Sequence, residues 1–274
     1  MADQFPSGTP ATPANPGSFF NEANADGSVD LTFVSVTDAD GGINSFVDGT
    51  SKADIITATG NSDIITGFAG DDAIDGGLGA DSARFNGTFD SHTVSFDAGA
   101  GTITVVDNDA VTDGNDGTDT LSAIETLVFK DAVVHIVDID GQFGSFISIQ
   151  AAIDAASAND VIMVVGRSSG DYAENLTVGK ALSFIGVDVG EGTPDVAPAA
   201  GTAVNITGGT GDISFANIDL DGAGTATTGI NIAPGASVGT VTFDGGMISG
   251  FTDSGIFATD AADPVGTPAM DALV

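Results

Sequence analysis

The stretch GTSKADIIT-ATGNSDIIT-GFAGDDAID-GGLGADSAR, residues 49–84, decides the fold of this chain. Each nine-residue block has an aspartate at its sixth position and an apolar residue two positions later. The aspartates are Asp54, Asp63, Asp72 and Asp81, and the apolar residues are Ile56, Ile65, Ile74 and Ala83. A fixed short period is typical of a solenoid, in which each repeat is a structural unit that stacks on the next.

Each block predicts a six-residue turn followed by a three-residue strand, so two blocks make one coil of a flattened parallel β-roll. The apolar residues point inward and the turns stack along two edges. Turns two blocks apart then lie above one another, which brings Asp54 to Asp72 and Asp63 to Asp81. Calcium takes about six to eight oxygen ligands, which a single Asp cannot supply. Paired carboxylates and the carbonyls of stacked turns can supply them, which predicts two sites.

The composition of the whole chain favours the same ion. Its 274 residues include 39 acidic and 5 basic side chains, for a formal charge of −34. A compact fold with this charge repels itself, and a hard cation such as calcium would neutralise part of it. So few Lys and Arg residues exclude nucleic acid as a partner and disfavour anionic membranes. The absence of cysteine excludes disulfides and Cys-based zinc sites. The sequence contains no run of about 18 apolar residues, so it does not predict a membrane-spanning helix.

The blocks resemble the RTX nonapeptide repeats of secreted bacterial proteins, whose consensus is GGxGxDxUx. Residues 76–81, GGLGAD, match the turn fully, and residues 67–72, GFAGDD, match it well. Lys52 and Asn61 replace the fourth-position glycine in the first two blocks, and Lys52 predicts weak binding by the first. The resemblance implies calcium at both sites. It also implies carbonyl ligands from Thr50, Lys52, Gly67 and Ala69 at the first site, and from Thr59, Asn61, Gly76 and Leu78 at the second.

Other acidic positions are weaker candidates. A third site would join Asp72 to Asp90, which keeps the period but lacks the glycines. Residues 138–141, DIDG, and 219–222, DLDG, are possible cation loops. Residues 113–119, DGNDGTD, resemble the start of an EF-hand loop, but its twelfth position is Ile124 instead of Glu. Solvated turns are the interpretation that we favour for these three loops.

The segments around the repeats have a different character. Residues 1–28 contain four of the nine prolines and are predicted to be an extended arm or linker. Residues 29–134 form the roll domain, which begins with a strand at 29–36. Its last part, 93–134, contains GTDTLSAIE and resembles a unit that often follows RTX repeats. Strands at 93–96, 102–106 and 126–129 are expected to make this an antiparallel unit that closes the open end of the roll.

Residues 135–258 predict a second solenoid. The segment 145–158 has helical apolar spacing, and short apolar strands that recur after 22 to 26 residues follow it. This spacing fits about four coils of a three-sided parallel β-helix with the helix as its cap. The segments SIQAAID (148–154) and LSFIG (182–186) resemble the opening of a pectin-lyase-like right-handed β-helix. Residues 259–274 form a tail whose last four residues, DALV, resemble a type I secretion signal.

The predicted fold is therefore all-β: a parallel β-roll with an antiparallel closing unit, then a short right-handed parallel β-helix with an N-terminal capping helix. Catalysis is not expected, because His92 and His135 lie far apart without metal-ligand spacing. Carboxylates at a coil corner would suit chemistry on a sugar, but a simple loop explains them better. The residues concerned are Asp171, Tyr172 and Glu174, and the only basic residues of the β-helix are Arg167 and Lys180.

These features predict an extracellular, calcium-binding structural protein that forms a homo-oligomer or polymer as a surface layer, filament or matrix of a bacterial cell. Calcium would drive folding after secretion. The arm would reach a neighbouring subunit through Phe5, Phe19 and Phe20. The alternative is a glycan-binding or polysaccharide-modifying protein of the β-helix type, with a cell-surface or matrix polysaccharide as its partner.

Overall fold

The computed structural model describes residues 18–23, 29–34, 45–109, 111–112, 114–144, 146–166, 170–258 and 272–273. Within these residues the chain is mostly β with parallel sheets and one short α-helix, as predicted. The chain divides into two compact units, Met1–Val133 with Gln142–Ser145 and Val134–Gly141 with Phe146–Val274. In the described part, no helix has the length and apolar character needed to span a membrane. The predicted arm lies outside the described residues except at 18–23, as does the tail except at 272–273.

The first unit is built from short strands. Its described strands are β1 (Ser18–Ala23), β2 (Val29–Val34), β3 (Ser45–Asp48), β4 (Ile55–Thr57), β5 (Asp63–Thr66), β6 (Ala73–Asp75), β7 (Ser82–Arg84), β8 (His92–Asp97), β9 (Thr102–Asp107), β10 (Thr118–Ser122) and β11 (Thr126–Val128). Strands β2, β4, β6 and β10 pair in parallel in one sheet. Strands β3, β5, β7 and β11 pair in parallel in the other. The chain thus alternates between two sheets, as the nine-residue period predicts.

The apolar residues of the repeats form the core between these sheets. Ile56 pairs in register with Ile74, and Ile65 with Ala83. All four side chains are at most 3% exposed. Because each block places its apolar residue at the same point of a strand, stacking the coils produces one continuous apolar column in each sheet.

Two parts of the first unit differ from the prediction. The antiparallel pairing is confined to β1 on β2, and to β8, β9 and β10. Strand β10 was not predicted, and its first two residues, Thr118 and Asp119, fall in the segment 113–119 that was interpreted as a loop. It pairs in parallel with β6, and β11 pairs in parallel with β7. The closing segment therefore extends both sheets of the roll by one strand each. Residues 18–23 of the predicted arm form a strand, because they pair with the apolar strand β2.

The second unit stacks its strands in three sheets. Its described elements are β12 (Val133–Asp138), α1 (Ile149–Ala155), β13 (Val161–Gly166), β14 (Leu176–Val178), β15 (Ser183–Asp188), β16 (Asp195–Val196), β17 (Thr202–Ile206), β18 (Ile213–Ala216), β19 (Asp219–Asp221), β20 (Thr228–Ile232), β21 (Thr240–Asp244), β22 (Ile248–Ser249), β23 (Ser254–Ala258) and β24 (Ala272–Leu273). One parallel sheet runs β12, β13, β15, β18, β21, β24. A second runs β14, β17, β20, β23, and a third runs β16, β19, β22. This connectivity is consistent with the predicted stacking of β-helix coils.

In-register apolar residues fill the interior of the coils. Leu176, Val204 and Ile230 occupy one column and are each at most 2% exposed. Phe184 stacks on Phe215 with ring centroids 4.6 Å apart. Apolar residues of neighbouring coils bury the most surface when their strands pair in this register. The apolar columns therefore favour this register over others.

The helix α1 is held at both ends by side chains of the first coil. The carboxylate of Glu174 accepts hydrogen bonds from the backbone N–H groups of Ile149 (2.9 Å) and Gln150 (3.0 Å). At the other end, the Nζ of Lys180 donates to the carbonyls of Ile153 (2.8 Å) and Ala156 (2.6 Å). Negative charge at the N-terminus and positive charge at the C-terminus are the favourable arrangement for a helix.

Candidate metal centre

The four repeat aspartates lie at the ends of the turns, and the structure shows that they are buried. Asp54, Asp63, Asp72 and Asp81 are at most 2% exposed. Each stands directly before or at the start of a strand, so the strand pairing fixes its position along the edge of the roll. Carboxylates that lose water in this way need hydrogen-bond donors or a cation to compensate.

Hydrogen bonds join these aspartates into two ladders. The backbone N–H of Asp54 donates to Oδ1 of Asp72 over 2.8 Å, and that of Asp63 donates to Oδ1 of Asp81 over 2.7 Å. Each pair is separated by 18 residues, which is two repeats. The structure therefore brings together the pairs that the nine-residue period predicted.

Both ladders continue into the closing segment through residues that the sequence analysis missed. The N–H of Asp72 donates to Oδ1 of Asp119 over 2.9 Å, and the N–H of Asp81 donates to Oε2 of Glu125 over 2.5 Å. Asp119 is 2% and Glu125 is 4% exposed. Asp90, which keeps the period, was the wrong candidate for the third partner of Asp72. It lies exposed in a 3₁₀ turn, Phe89–Ser91, because the chain leaves the roll after β7.

The turns of the first two blocks satisfy their aspartates with threonine. Thr50 donates to Oδ2 of Asp54 from its N–H (2.5 Å) and its hydroxyl (2.9 Å). Thr59 does the same to Oδ2 of Asp63, at 2.8 Å and 2.7 Å. Threonine stands here where the consensus has its second glycine, and it occupies lone pairs that a cation would otherwise use.

The turns of the third and fourth blocks leave the same oxygen unpaired. Oδ2 of Asp72 and Oδ2 of Asp81 are buried and have no hydrogen-bond partner. A Cβ added to Gly67 would lie 2.1 Å from the former, and one added to Gly76 would lie 2.8 Å from the latter. Glycine therefore leaves room at the carboxylate that any other residue would fill. Buried, unpaired carboxylate oxygens beside backbone carbonyls are the donors that calcium prefers, so these turns fit the ion.

Burial also changes the acidity of this edge. Desolvation by burial raises the pKa of Asp72 and of Asp81 to about 7. It raises the pKa of Asp119 to about 8. Neighbouring carboxylates, Asp54 for Asp72 and Glu125 for Asp81, add to the same shift. The ionised carboxylates of the ladder are therefore unfavourable unless a proton or a cation binds to them.

Side chains alone do not complete a coordination sphere here. In the described part of the chain, no group of three or more His, Cys, Asp and Glu side chains is arranged to hold a metal. A calcium ion would need backbone carbonyls, as the sequence analysis expected. The stacked turns place two of the implied residues, Lys52 and Asn61, against the fourth-position glycines Gly70 and Gly79. They bring two other implied residues together directly, since the carbonyl of Thr59 accepts from the N–H of Leu78 over 3.2 Å.

A comparison with protein-family models agrees with this geometry. Residues 48–83 match the RTX calcium-binding nonapeptide repeat, in four copies. This stretch is an RTX repeat array. RTX repeats bind Ca²⁺ and are typical of secreted bacterial proteins, and the buried ladder of aspartates is consistent with that chemistry. No curated protein and no solved structure gives a significant match to the chain.

The weaker acidic candidates cap turns in the structure. Oδ1 of Asp138 accepts from the N–H of Asp140, and Oδ1 of Asp221 accepts from the N–H of Ala223. Oδ1 of Asp219 accepts from the N–H of Met247 in the next coil over 2.7 Å. The interpretation of both loops as solvated turns is therefore wrong in part. Asp138 ends strand β12 and is fully buried, and residues 219–221 form strand β19 between two neighbouring coils. The DGNDGTD segment is different, since it contains Asp119 of the ladder.

The residues considered for chemistry on a sugar have structural contacts. The hydroxyl of Tyr172, a residue only 1% exposed, donates to the carbonyl of Val165 over 2.8 Å. Glu174 and Lys180 hold the two ends of α1. Arg167 lies outside the described residues.

The two histidines are also held in place. Nε2 of His135 lies 3.0 Å from Oδ2 of Asp160, and Nδ1 of His92 lies 2.9 Å from the carbonyl of Thr88. Each is packed against an aromatic ring, Phe146 for His135 and Phe129 for His92. These contacts place both imidazoles in structural surroundings rather than in a shared metal site.

Proposed function

We propose that this chain is an extracellular calcium-binding structural protein whose roll completes its folding when it meets calcium after secretion, and which then assembles into a polymer on or outside the bacterial cell. The observation that carries the proposal is the pair of buried, unpaired carboxylate oxygens at Asp72 and Asp81. Without a cation these groups oppose folding, since burying an uncompensated charge is unfavourable by several kcal/mol. With calcium the same groups stabilise the stacked turns.

The difference in calcium concentration between the inside and the outside of the cell would switch the folding of the roll. Extracellular calcium modules bind with Kd values of about 10⁻⁴–10⁻³ M, which is far above the calcium level inside cells. Millimolar calcium is about 1 to 10 times such a Kd and stabilises the folded state by about 0.4–1.4 kcal/mol per site. Two sites would add about 1–3 kcal/mol, which matters because the stability of a typical domain is only about 5–15 kcal/mol. The roll would stay unfolded during secretion and fold outside.

Assembly is supported by the last described coil of the second unit. Met247 is 60% and Phe257 is 45% exposed, while the inward-facing Ile248 and Ile256 are only partly buried. Strands β22 and β23 are the last described strands of their sheets. An apolar coil at the end of the described sheets is a template for further stacking, and a second copy of this chain is the partner that we propose for it.

The net charge of −34 fits a calcium-dependent assembly. Copies that carry this charge repel one another until cations screen or bridge the carboxylates. The two or three ions expected in the ladders cancel only part of it. Further cations that bridge carboxylates of neighbouring copies would then stabilise the polymer in addition to the ions that fold the roll.

Electron microscopy and light scattering of the full chain in calcium and in EDTA test this function. We expect ordered polymers in millimolar calcium and none in EDTA. The double variant Met247→Asp, Phe257→Asp should fold in calcium but stay monomeric. Thr177→Asp, which is in the same outward column as Phe257 but on the first coil, is the matched control and should polymerise. Monodisperse particles in calcium that bind a glycan array would favour the glycan-binding alternative instead.

A further inference from the structure

The closing segment contains the sequence GNDGTDTLS at residues 114–122. It has glycine at its first and fourth positions, aspartate at its sixth and leucine at its eighth, which is the nonapeptide pattern. It lies outside the matched residues 48–83, and residues 85–113 separate it from the fourth block. Because the length of this insertion is not a multiple of nine residues, a search at the period of the first four blocks does not find residues 114–122.

The backbone of this segment has the hydrogen bonds of the other repeats. Thr120 N–H donates to the carbonyl of Asp72 over 2.8 Å, as Ala73 N–H donates to that of Asp54 over 2.9 Å. Gly76 N–H donates to the carbonyl of Ser122 over 3.0 Å, as Ala58 N–H donates to that of Asp75 over 2.8 Å. The carboxylate of Asp119 receives the N–H of Asp72, as that of Asp72 receives the N–H of Asp54.

The turn itself has the conformation of the glycine-type turns. Asn115 (φ 49°) and Gly117 (φ 86°) match Phe68 (φ 66°) and Gly70 (φ 132°) at the second and fourth positions. A Cβ on Gly117 would lie 2.0 Å from the carbonyl oxygen of Gly70, so only glycine fits this approach. The fourth-position residues of stacked turns therefore contact one another here as they do in the main array.

The equivalent oxygens of two other turns indicate where the unpaired oxygen of Asp72 lies. At Gly49 and at Gly76, an added Cβ would meet both Oδ2 of the aspartate of the same turn and a carbonyl of the following turn, Gly67 and Ala123 respectively. Each Oδ2 thus points to the turn that stacks next. For Asp72, which is 2% exposed and has Oδ2 unpartnered, the next turn is residues 114–119.

We propose that residues 114–122 are a fifth nonapeptide repeat, and that its turn completes a further calcium site with residues 67–72, held by the carboxylates of Asp72 and Asp119. The carbonyls in the corresponding positions are those of Phe68, Gly70, Gly114 and Asp116. Both turns have glycine at their first and fourth positions, so this pair is closer to the consensus than the pairs that include a threonine turn. The proposal rests on calcium binding by the repeats and does not depend on polymer assembly.

Side chains of the inserted residues contact this turn directly. The carboxylate of Asp116 accepts from the N–H and the side-chain amide of Asn86, both over 2.6 Å. The carboxylate of Asp107, at the end of β9, accepts from the N–H of Asp116 over 3.0 Å. The segment that contains the β8–β9 hairpin therefore positions the fifth turn. A calcium ion bound between this turn and residues 67–72 would stabilise the packing of the hairpin on the roll.

Calcium stoichiometry of the full chain tests the proposal. Titration calorimetry of Asp119→Asn should give one calcium fewer per chain than the wild type, whereas Asp90→Asn, at the exposed position that keeps the period, should bind the wild-type number. An unchanged number and affinity in Asp119→Asn would overturn the fifth site while leaving the first four repeats intact. A wild-type chain that binds no calcium would overturn this site together with the calcium switch, so the two failures are distinguishable.

A measurement on the wild type covers the case in which Asp119→Asn does not fold. Equilibrium dialysis of the wild-type chain should count three calcium ions per chain, two for the main array and one for this site. Two ions per chain would overturn the proposal.

Discussion

The backbone N–H of Asp54 donates to Oδ1 of Asp72 over 2.8 Å, and the second oxygen of the same carboxylate is buried with no partner. One oxygen of Asp72 therefore holds two coils together and the other is available for an ion. The corresponding oxygen of Asp54 is occupied by Thr50. We expect this difference between stacked turns to make Asp72 a stronger calcium ligand than Asp54.

Removing the free carboxylate oxygens should weaken calcium binding most. Asp72→Asn and Asp81→Asn keep an acceptor for the ladder but lose the charge, and we expect calcium affinity to fall about tenfold or more, about 1.4 kcal/mol. Asp54→Asn and Asp63→Asn, whose Oδ2 atoms are held by threonine, should lose less. Titration calorimetry of the four variants measures this, and equal losses in all four would contradict the distinction between the two kinds of turn.

Relieving the backbone strain at Phe68 should stabilise the roll. Phe68 has φ 66° and is 40% exposed at a position where the consensus has glycine. A left-handed conformation is unfavourable for a residue with a Cβ by about 1–2 kcal/mol. Phe68→Gly should therefore be more stable than Phe68→Ala by about 1 kcal/mol. Both variants lose the same ring contacts, so urea unfolding in calcium isolates the effect of the backbone, and an equal stability would contradict it.

Acid should replace calcium in the ladder. In the folded state burial raises the pKa of Asp72 and Asp81 from the ordinary aspartate value of 3.8 to about 7, and that of Asp119 to about 8. A raised folded-state pKa favours folding below the unfolded pKa and loses that contribution as pH rises through 7 to 8. In EDTA, lowering the pH from 8 to 5 should increase the strand signal in circular dichroism.

The matching control is the double variant Asp72→Asn, Asp81→Asn, whose pH dependence should be smaller. Calcium affinity of the wild type should fall over the same range, because each bound proton must leave before the ion binds. Strand content in EDTA that decreases from pH 8 to 5 would contradict the assignment of buried, raised-pKa carboxylates.

Glu174 should stabilise the second unit by capping helix α1. Its carboxylate accepts from two N–H groups of α1 and from the hydroxyl of Ser148. Glu174→Ala should destabilise the second unit by about 1–2 kcal/mol, and the exposed Asp171→Ala should change little. The chain has one tyrosine and no tryptophan, so fluorescence of the buried Tyr172 reports unfolding of this unit alone. An unchanged unfolding midpoint in Glu174→Ala would remove its capping role.

Strict periodicity made the centre of the roll predictable. The spacing of Asp54, Asp63, Asp72 and Asp81 fixed which residues share an edge, and their burial and pairing follow that spacing. The same rule failed at Asp90, because the period continues in the sequence after the chain has left the roll. Asp119 takes the place in the ladder through tertiary pairing of β10 with β6, which a period counted from Asp81 cannot show.

Short strands of the second unit limited the prediction there. Most strands of its two longer sheets have apolar runs and were expected, for example Leu176–Val178, whereas β12 and β24 were not. The third sheet contains Asp195–Val196 and Ile248–Ser249, each with only one apolar residue. Such strands exist because the neighbouring coils supply hydrogen-bond partners, and their own sequence has too few residues to show an alternation.

The most direct test of the account is a calcium titration of the full chain from EDTA, followed by far-ultraviolet circular dichroism and calorimetry at pH 8. The account predicts a saturable gain in strand content together with binding heat, and neither when magnesium replaces calcium. The same strand content in EDTA and in saturating calcium, with no heat of binding, would contradict it.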